Sequence, residues 1–362
     1  MAVRDHADVS ATSGGIRTHT NYLGWLESVH PAYWLLAILL LFMPAFAGSF
    51  WLFQVWGWAF ILGTIALSLM FLAGYGGMVS LVQMTIAGLA GYMVAILGAS
   101  GVSGISMGWP QWVAVPIAIV VAAIFGTLVG ALAVRTRGIY TIMITLAVAA
   151  GFFYLTRQNY TIFNGYTGFG GIQPPHLFGV NMRQPVHFYY LSLACAVLSF
   201  LAVVYVSRSP FGLALQGIRD NPRRMAALGY NVTAHRIAAY TFASVIAAVG
   251  GILLTWQNAQ IAPASVGIGP VIDILIIAIV GGIGHPIGAF IGAFIYVILR
   301  LFSPDMLMAL GLPGDRFRTL IGLGFLLIVF WSPDGVLGLW QQLKERMRDN
   351  AGFTGLGGAG ER

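Results

Sequence analysis

The stretch that decides the fold is WVAVPIAIVVAAIFGTLVGALAV, residues 112–134, which closes a run of 107 residues without Asp, Glu, Lys or Arg. The run begins at Ser28 and ends at Val134. A charged side chain at the centre of a membrane-spanning helix costs about 3 kcal/mol or more, so spanning segments lose ionisable residues whereas loops keep them. The run therefore predicts a chain that crosses a lipid bilayer repeatedly.

The rest of the 362-residue chain follows the same pattern, because only 8% of its residues are charged and 58% are hydrophobic. A spanning helix needs about 20 residues, so the length sets an upper limit of about a dozen spans. We predict an all-α polytopic membrane protein with about ten transmembrane helices, some of them short or broken. The predicted spans are 33–48, 51–72, 78–99, 110–134, 138–156, 188–207, 237–257, 271–283, 286–302 and 318–332. The stretch 271–302 also fits one tilted helix that is broken in the middle. Small residues four positions apart, at Gly126 and Gly130 and along the ladder Gly284, Gly288 and Gly292, predict close packing of helices in lipid, with chance spacing in a glycine-rich chain as the alternative.

Arginine placement gives the orientation. The loop from Arg208 to Arg236 carries five Arg against one acidic residue, and Arg135 and Arg137 follow the fourth span. Loops rich in Arg and Lys face the cytoplasm. With ten spans, both termini are then cytoplasmic, as tails 1–28 and 341–362 around a membrane domain 29–340. Spans two to five and seven to ten would run in opposite senses, as in an inverted repeat, although no sequence repeat supports it.

The first apolar stretch has a second interpretation. Leu35 to Met43, followed by Ala45-Phe46-Ala47, resembles the core and cleavage site of a signal peptide. The flank disagrees, because Glu27 and His30 precede the stretch and the nearest arginine is Arg17. We favour a retained span, with the signal peptide as the alternative.

The sequence argues against an enzyme. An intramembrane hydrolase needs a nucleophile with a base, two carboxylates or a set of metal ligands at one depth, and no such set is visible. Cys195 is the single cysteine, which excludes an internal disulfide. Lys344 is the single lysine and follows no glycine-rich loop, so the phosphate-binding G-x-x-x-x-G-K-[ST] motif is absent. We expect no cofactor or metal in this chain, and its dispersed arginines do not favour nucleic acid.

Two residues in or near the spans could carry a function. Asp273 is the only acidic residue between Asp220 and Asp305, and a carboxylate within a span is by default a functional hypothesis. It equally fits an interfacial charge or a charge on the dipole of a half-helix. His285 lies in a Gly-His-Pro turn, where we expect a structural hydrogen bond.

The arginine-rich loop contains a short helix. Asn221 is a favourable N-cap, Pro222 suits the first helical position and Gly229 suits the left-handed stop, which predicts a helix over 222–228. Two turns of helix are not stable alone in water. Either the membrane domain behind it or a partner in front must hold it, although an ordinary cytoplasmic loop is the alternative.

Four stretches together resemble a known family. They are Gly74–Leu81 with Gly88–Tyr92, Gly138–Thr141 with Ile144–Ala147, Phe211–Asn221 with Ala226–Val232, and Val280–Gly284 with Gly288 and Gly292-Ala293. Over roughly residues 60 to 340 the chain resembles the permease subunits of branched-chain amino acid ABC importers, LivM type. The larger family contains LivH, urea and simple-sugar permeases.

The resemblance implies roles for individual residues. The third stretch matches the coupling helix that docks on the ATPase subunit, with the residues Arg219, Asp220, Asn221, Arg223, Arg224, Ala226, Ala227, Leu228 and Gly229. The loop 208–236 would then be the cytoplasmic coupling loop. Candidates for the translocation pathway are Ser80, Gln83, Asp273, Gly281, Gly282 and Gly284.

The chain departs from the family pattern at three places. The glycines of Thr167–Ile172 are placed differently from the family's external T-G-G-x-x-G-like element. Gly77-Met78 stands where the family often has Gly-Gln, and Val82-Gln83 where it often has Gly-His. If these residues line the pathway, these departures allow a substrate other than leucine, isoleucine or valine.

The resemblance implies a permease in a bacterial inner membrane that passes branched-chain or related small amino acids. Its implied partners are a second homologous permease, two cytoplasmic ATPase subunits that bind ATP and magnesium, a periplasmic substrate-binding protein and membrane lipid. A urea or short-amide permease is the nearest alternative. An ion-coupled secondary transporter is another, for which Asp273 alone gives little support.

Overall fold

The computed structural model describes residues 31–309 except 103, 137, 178 and 179, and beyond them 311, 319, 322–326, 330, 335, 336 and 338. The two predicted tails, 1–28 and 341–362, lie outside the described residues, as does most of the predicted tenth span, 318–332. The chain divides into two units, Met1–Ala47 and Gly48–Arg362. The first unit contributes one described helix, α1 (Pro31–Phe46), which covers the first predicted span.

The second unit is nearly all helical. Its helices are α2 (Trp58–Met70), α3 (Gln83–Leu97), α4 (Gln111–Ala133), α5 (Ile139–Gln158), α6 (Pro185–Arg208), α7 (Pro210–Asp220), α8 (Pro222–Ala227), α9 (Val232–Asn258), α10 (Ile268–Gly281) and α11 (Pro286–Ala309). Helix α2 continues into π-helical turns at both ends, Trp51–Gly57 and Phe71–Tyr75. The described residues also contain two 3₁₀ turns, Gly165–Thr167 and Pro263–Val266. Two antiparallel pairs of two-residue strands are present as well: β1 (Phe169–Gly170) with β4 (Gln260–Ile261), and β2 (His176–Leu177) with β3 (Val180–Asn181).

The predicted fold class is confirmed. Among the described residues, helices occupy nine of the ten predicted positions. Within the described part of the chain, seven segments are long and apolar enough to cross a membrane: Trp51–Tyr75, Gln111–Ala133, Ile139–Gln158, Pro185–Arg208, Val232–Asn258, Pro263–Gly281 and Pro286–Ala309. Helix α3 is apolar but shorter.

Helices α2, α3 and α9 form the centre of the second unit. The span Trp51–Tyr75 is the most buried of the seven. In this span 89% of the most apolar 18-residue stretch lies inside the fold, compared with 28% in α5 and in α6. Helix α9 packs against α2, α3 and α4. The peripheral helices therefore present most of their apolar surface outward, as lipid contact requires.

Backbone contact at glycine brings the central helices together. A methyl group at Gly251 of α9 would overlap the backbone of Ala87 in α3, and one at Gly250 would lie 2.5 Å from the Ile65 side chain of α2. Burial of apolar surface gains little when the solvent is hydrocarbon, so helices in lipid depend on such close packing.

Helix α4 packs closely along a line of small residues on one face. Its buried face carries small residues four positions apart: Ala114, Ala118, Ala122, Gly126 and Gly130. Methyl groups at Gly126 and Gly130 would collide with Ser244 and Tyr240 of α9, and the hydroxyls of Thr127 and Thr241 lie 2.7 Å apart. The packing predicted from the Gly126–Gly130 spacing is confirmed.

Helices α10 and α11 form a hairpin, which decides between the two interpretations of 271–302. A methyl group at Gly281 would overlap the Gly288 carbonyl, and one at Gly292 would overlap the Ile277 carbonyl, so the helices pack antiparallel. The predicted packing ladder Gly284–Gly288–Gly292 is wrong at Gly284, which faces open space. Gly284 lies in the turn, and Gly281 on the opposite helix takes its place.

The third predicted span begins later than expected. Helix α3 starts at Gln83 rather than residue 78, because the chain leaves the helical path at Gly77, whose φ is +64°. In the irregular segment that follows, the Leu81 amide donates to the hydroxyl of Thr145 at 3.1 Å.

The connections collect at two ends of the bundle, as the predicted alternation of spans requires. At one end the Gly101 amide donates to the Gly170 carbonyl at 2.7 Å, and the Ile172 amide donates to the Ala259 carbonyl at 3.0 Å. These are predicted external segments. The arginine-rich loop and the Leu81–Thr145 contact lie at the opposite end.

The glycine contacts predict a matched pair of stability effects. We expect Gly251→Ala to destabilise the fold by about 1–3 kcal/mol, because the new methyl group meets backbone that cannot rotate away. Gly151→Ala in α5 has open space around it and is expected to be neutral or stabilising by up to about 1 kcal/mol. Thermal unfolding of both variants in detergent measures the difference, and equal midpoints would contradict the packing.

Candidate cytoplasmic coupling site

Helices α7 and α8 form the arginine-rich site, and each has a capping residue at its start. The Gly212 amide donates to Ser209 Oγ at 3.3 Å before α7. The Arg224 amide donates to Asn221 Oδ1 at 3.0 Å, which makes Asn221 the N-cap of α8. Gly229 ends the segment with a φ of +90°. The short helix predicted over 222–228 is confirmed over Pro222–Ala227.

Helix α8 packs on α7 on one side and is exposed on the other. All six of its residues are described and none of them is buried. Met225 lies on Gly217 of α7, where a methyl group would come within 2.8 Å of the Met225 Sδ atom. The side chain of Leu228, just after the helix, is 68% exposed. The membrane domain therefore positions this helix without covering it.

An aromatic stack fixes the segments on either side of α8. The His235 ring lies parallel to Phe211, with ring centres 5.7 Å apart, and meets Tyr230 edge-on. His235 Nδ1 also lies 2.9 Å from the Asn231 carbonyl oxygen. The starts of α7 and α9 and the end of the α8 segment are thus joined through one imidazole ring.

Charge on this surface is mostly positive. Arg223 and Arg224 are exposed on α8. Asp220 is the single acidic residue of the loop 208–236, and Arg219 Nε donates to its Oδ1 at 3.0 Å. An exposed pair of this kind contributes little stability, so it mainly orients the two side chains.

The Arg219 side chain is 42% exposed, and its guanidinium reaches back to the bundle. Its Nη1 donates a hydrogen bond to the carbonyl oxygen of Gly74 at the end of the span Trp51–Tyr75. Its methylene stem lies against Gly77, where a methyl group would come within 2.7 Å of Arg219 Cγ. The coupling segment is therefore fastened to the first glycine-rich stretch.

The four stretches that carry the family resemblance meet at this end of the bundle. Gly74 and Gly77 contact Arg219 of the third stretch. A methyl group at Gly74 would lie 2.6 Å from the Ile283 carbonyl oxygen of the fourth stretch. Leu81 of the first stretch bonds to Thr145 of the second. The glycine-rich connection 74–81 is the common junction.

His285 caps the second helix of the α10–α11 hairpin. The Ile287 amide lies 3.4 Å from His285 Nδ1, which agrees with the expected structural hydrogen bond. Partial burial of the imidazole and the nearby guanidinium of Arg208 lower the pKa of His285. The neutral ring favoured by this shift can accept the amide hydrogen.

Two pathway candidates are enclosed at this junction. Ser80 is fully buried, and the Tyr240 hydroxyl is its neighbour. Gln83 is 1% exposed and accepts from Ser68 Oγ at 3.2 Å, whereas its Nε2 has no hydrogen-bond partner among the described residues. Neither side chain lines an open passage in this conformation.

The other pathway candidates belong to the α10–α11 hairpin. Asp273 is half-buried and lies beyond the first turn of α10. Because the helix-dipole effect fades after the first turn, that explanation of the charge loses support. Gly281 packs on Gly288, Gly282 ends α10 with a φ of +100°, and Gly284 is exposed. Their role in a pathway stays a prediction.

Sequence reasoning missed the residues that hold α8 in place. Gly217 lies in the third stretch without a predicted role, and Met225 and His235 lie outside that stretch. Contacts between residues of different helices leave no pattern in a single sequence. Across the described part of the chain, no three His, Cys, Asp or Glu side chains could together hold a metal ion.

A family model described as "Branched-chain amino acid transport system / permease component" matches residues 51–329. The chain is 25% identical over 304 residues to the high-affinity branched-chain amino acid transport system permease protein LivM of Salmonella typhimurium, covering 77% of this chain and 67% of that protein. LivM of Escherichia coli matches with the same identity and coverage.

A probable LivH permease protein of Methanocaldococcus jannaschii is 30% identical over 147 residues, covering 38% of this chain and 44% of that protein. No solved structure matches this chain significantly.

The capping geometry predicts a local effect of Asn221→Ala. Loss of the Oδ1 acceptor leaves the Arg224 amide unsatisfied and should cost about 1 kcal/mol, so α8 frays. We expect faster amide hydrogen exchange confined to residues 222–228. Asn231 caps α9 in the same way through the Ala234 amide at 3.0 Å, so Asn231→Ala is the control. It should change exchange at the start of α9, and unchanged exchange at α8 in Asn221→Ala would contradict the cap.

Proposed function

Because the chain belongs to the family of branched-chain amino acid transport system permease components, we propose that it is the transmembrane permease subunit of an ATP-driven ABC importer. It translocates branched-chain or related small amino acids across the inner membrane of a bacterium. ATP and magnesium bind to separate cytoplasmic subunits, and this chain carries no cofactor. Its contribution is a set of spans that change conformation.

The exposure of α8 is the observation that carries this proposal. Surface helices normally bury one apolar face, whereas α8 buries none of its described residues. A helix this short needs a partner to be stable in water. The Asn221 cap and the packing of Met225 on Gly217 stabilise one side of α8, and its exposed side is free to bind a partner. We assign that place to the ATPase subunit.

The charge distribution supports the same assignment. Arg223 and Arg224 project from the exposed helix. A positive surface steers association with an acidic partner surface and speeds the encounter. The docking residues are Arg223, Arg224, Ala226, Ala227, Leu228 and Gly229, with Arg219, Asp220 and Asn221 behind them.

The arginine-rich end faces the cytoplasm in this proposal, and both termini lie on that side. A second permease completes the membrane part, which agrees with the similarity of this chain to relatives named LivM and LivH. Two ATPase subunits bind below, a substrate-binding protein delivers the amino acid from the periplasm, and lipid covers the outward faces of α4, α5 and α6.

Transport by such a permease requires two conformations with different contacts. Ser80 and Gln83 are polar and enclosed here, so we propose that they face the pathway in the other conformation. Asp273, Gly281, Gly282 and Gly284 belong to the hairpin that would move with them. The free Nε2 donors of Gln83 then meet substrate or water.

Uptake measurements test the proposed function. Cells that express this chain with its neighbouring ATPase, permease and binding-protein genes should accumulate radiolabelled leucine, and depletion of ATP should abolish the uptake. Excess isoleucine and valine should compete. Uptake that persists without ATP, or competition by urea in place of these amino acids, would overturn the assignment.

Charge reversal on α8 tests docking. We expect Arg223→Glu with Arg224→Glu to lower uptake to the background level, because the positive surface would repel the partner that it normally attracts. The amount of protein in the membrane should not change, since both side chains are exposed. Arg135→Glu is the control, because Arg135 is exposed at the end of α4 and outside the coupling loop. Normal uptake by the double variant would reject the docking role.

A further inference from the structure

Arg219 joins the exposed coupling segment to the most buried span of the bundle. We infer that Arg219 is a positioning residue that transmits motion of α8 to the span Trp51–Tyr75 and to the α10–α11 hairpin. The inference rests on the proposed function, because it needs an ATPase subunit that moves α8. It adds a division of roles among the arginines, in which Arg223 and Arg224 face the partner and Arg219 faces the bundle.

The Arg219 guanidinium satisfies an unpaired carbonyl oxygen at the end of the span Trp51–Tyr75. The last carbonyl groups of a helix have no intrahelical partner and carry partial negative charge. Here the Gly77 and Met78 amides bond to the carbonyls of Ala73 and Leu72. The next carbonyl, that of Gly74, accepts from the Arg219 guanidinium. A charge-assisted hydrogen bond is stronger than a neutral one, so this contact can transmit force as well as close the helix.

The stem of Arg219 makes the second contact, at Gly77. A methyl group there would come within 2.7 Å of Arg219 Cγ and 3.5 Å of its Cβ. The φ of +64° also favours glycine at this position. Two contacts, one at each end of the side chain, fix the direction of Arg219. Its bond to Asp220 Oδ1 at 3.0 Å orients the guanidinium from the other side.

The connection continues on both sides of this contact. Toward the surface, Met225 seats α8 on Gly217 of α7, two residues from Arg219. Toward the centre, Gly74 lies against the Ile283 carbonyl in the turn of the hairpin. Further along the span, a methyl group at Gly63 would lie 2.5 Å from the Phe290 ring of α11. Close-packed protein has low compressibility and transmits strain. Displacement of α8 is therefore expected to displace the span and the hairpin as well.

The first experiment separates docking from transmission. The complete transporter, with its ATPase subunits, second permease and binding protein, is reconstituted in liposomes with Arg219→Ala, Arg219→Lys or the control Arg135→Ala. Copurified ATPase, ATP hydrolysis and leucine uptake are measured together. We expect Arg219→Ala to keep copurification and hydrolysis near the unmodified values, with uptake per ATP reduced about tenfold, within the range of typical coupling effects. Arg219→Lys should be intermediate, because an ammonium group lacks the guanidinium fork.

Several outcomes would overturn the inference. Uptake per ATP equal to that of Arg135→Ala would show that Arg219 transmits nothing. Loss of copurified ATPase in Arg219→Ala would assign Arg219 to docking instead. An unmodified complex without ATP-dependent uptake would instead contradict the proposed function, so the two failures are distinguishable.

A reversible cross-link provides a second test if Arg219→Ala does not reach the membrane. The 3.5 Å separation at positions 77 and 219 falls within the Cβ–Cβ range of a disulfide, about 3.5–4.5 Å. Gly77→Cys with Arg219→Cys, in a Cys195→Ser background, is oxidised with copper phenanthroline in the complete transporter. We expect the cross-link to restore uptake per ATP and its reduction to abolish it. Failure to cross-link, or equal uptake in both states, would contradict the connection.

Discussion

Backbone contact at glycine is the constraint on which the rest of this structure depends. The hydrocarbon of a bilayer does not drive apolar helices together, so the helices must approach closely enough for dispersion and polar contacts to hold them. Gly251 allows α9 to touch α3, Gly126 allows α4 to touch α9, and Gly281 allows α10 to touch α11. Each contact leaves no room for a methyl group. These helix pairs therefore approach more closely than any larger residue at these positions would allow.

The same constraint shapes the arginine-rich end of the bundle. The connection from Gly74 to Leu81 contacts the coupling segment, the hairpin turn and α5 at once. Only a chain without side chains at Gly74 and Gly77 can pass between Arg219 and Ile283. In the proposed mechanism, this junction connects one exposed helix to several buried ones. A membrane excludes charged residues from the spans, and Arg223 and Arg224 lie instead on the exposed helix α8.

Sequence reasoning reached the fold class, nine helix positions, the small-residue packing of Gly126 and Gly130, and the caps of α8, because each follows from local pattern. It left 271–302 open between one helix and two, since an antiparallel hairpin depends on which glycines face each other. It placed Gly284 in the packing where Gly281 belongs. It also began α3 too early, because a single glycine in an apolar run does not reveal that the chain leaves the helical path at Gly77. The inward direction of Arg219 was likewise not predictable, since neighbouring arginines look alike in a sequence.

Photocross-linking from the exposed helix tests whether α8 docks on the ATPase subunit. Benzoylphenylalanine replaces Leu228, which is 68% exposed beside α8, or Leu198, which is 66% exposed in the middle of α6. The complete transporter is irradiated in native membranes and the products are identified by mass spectrometry. We predict that position 228 captures the ATPase subunit and that position 198 does not. Capture of lipid alone at position 228, or equal capture of the ATPase at both positions, would contradict it.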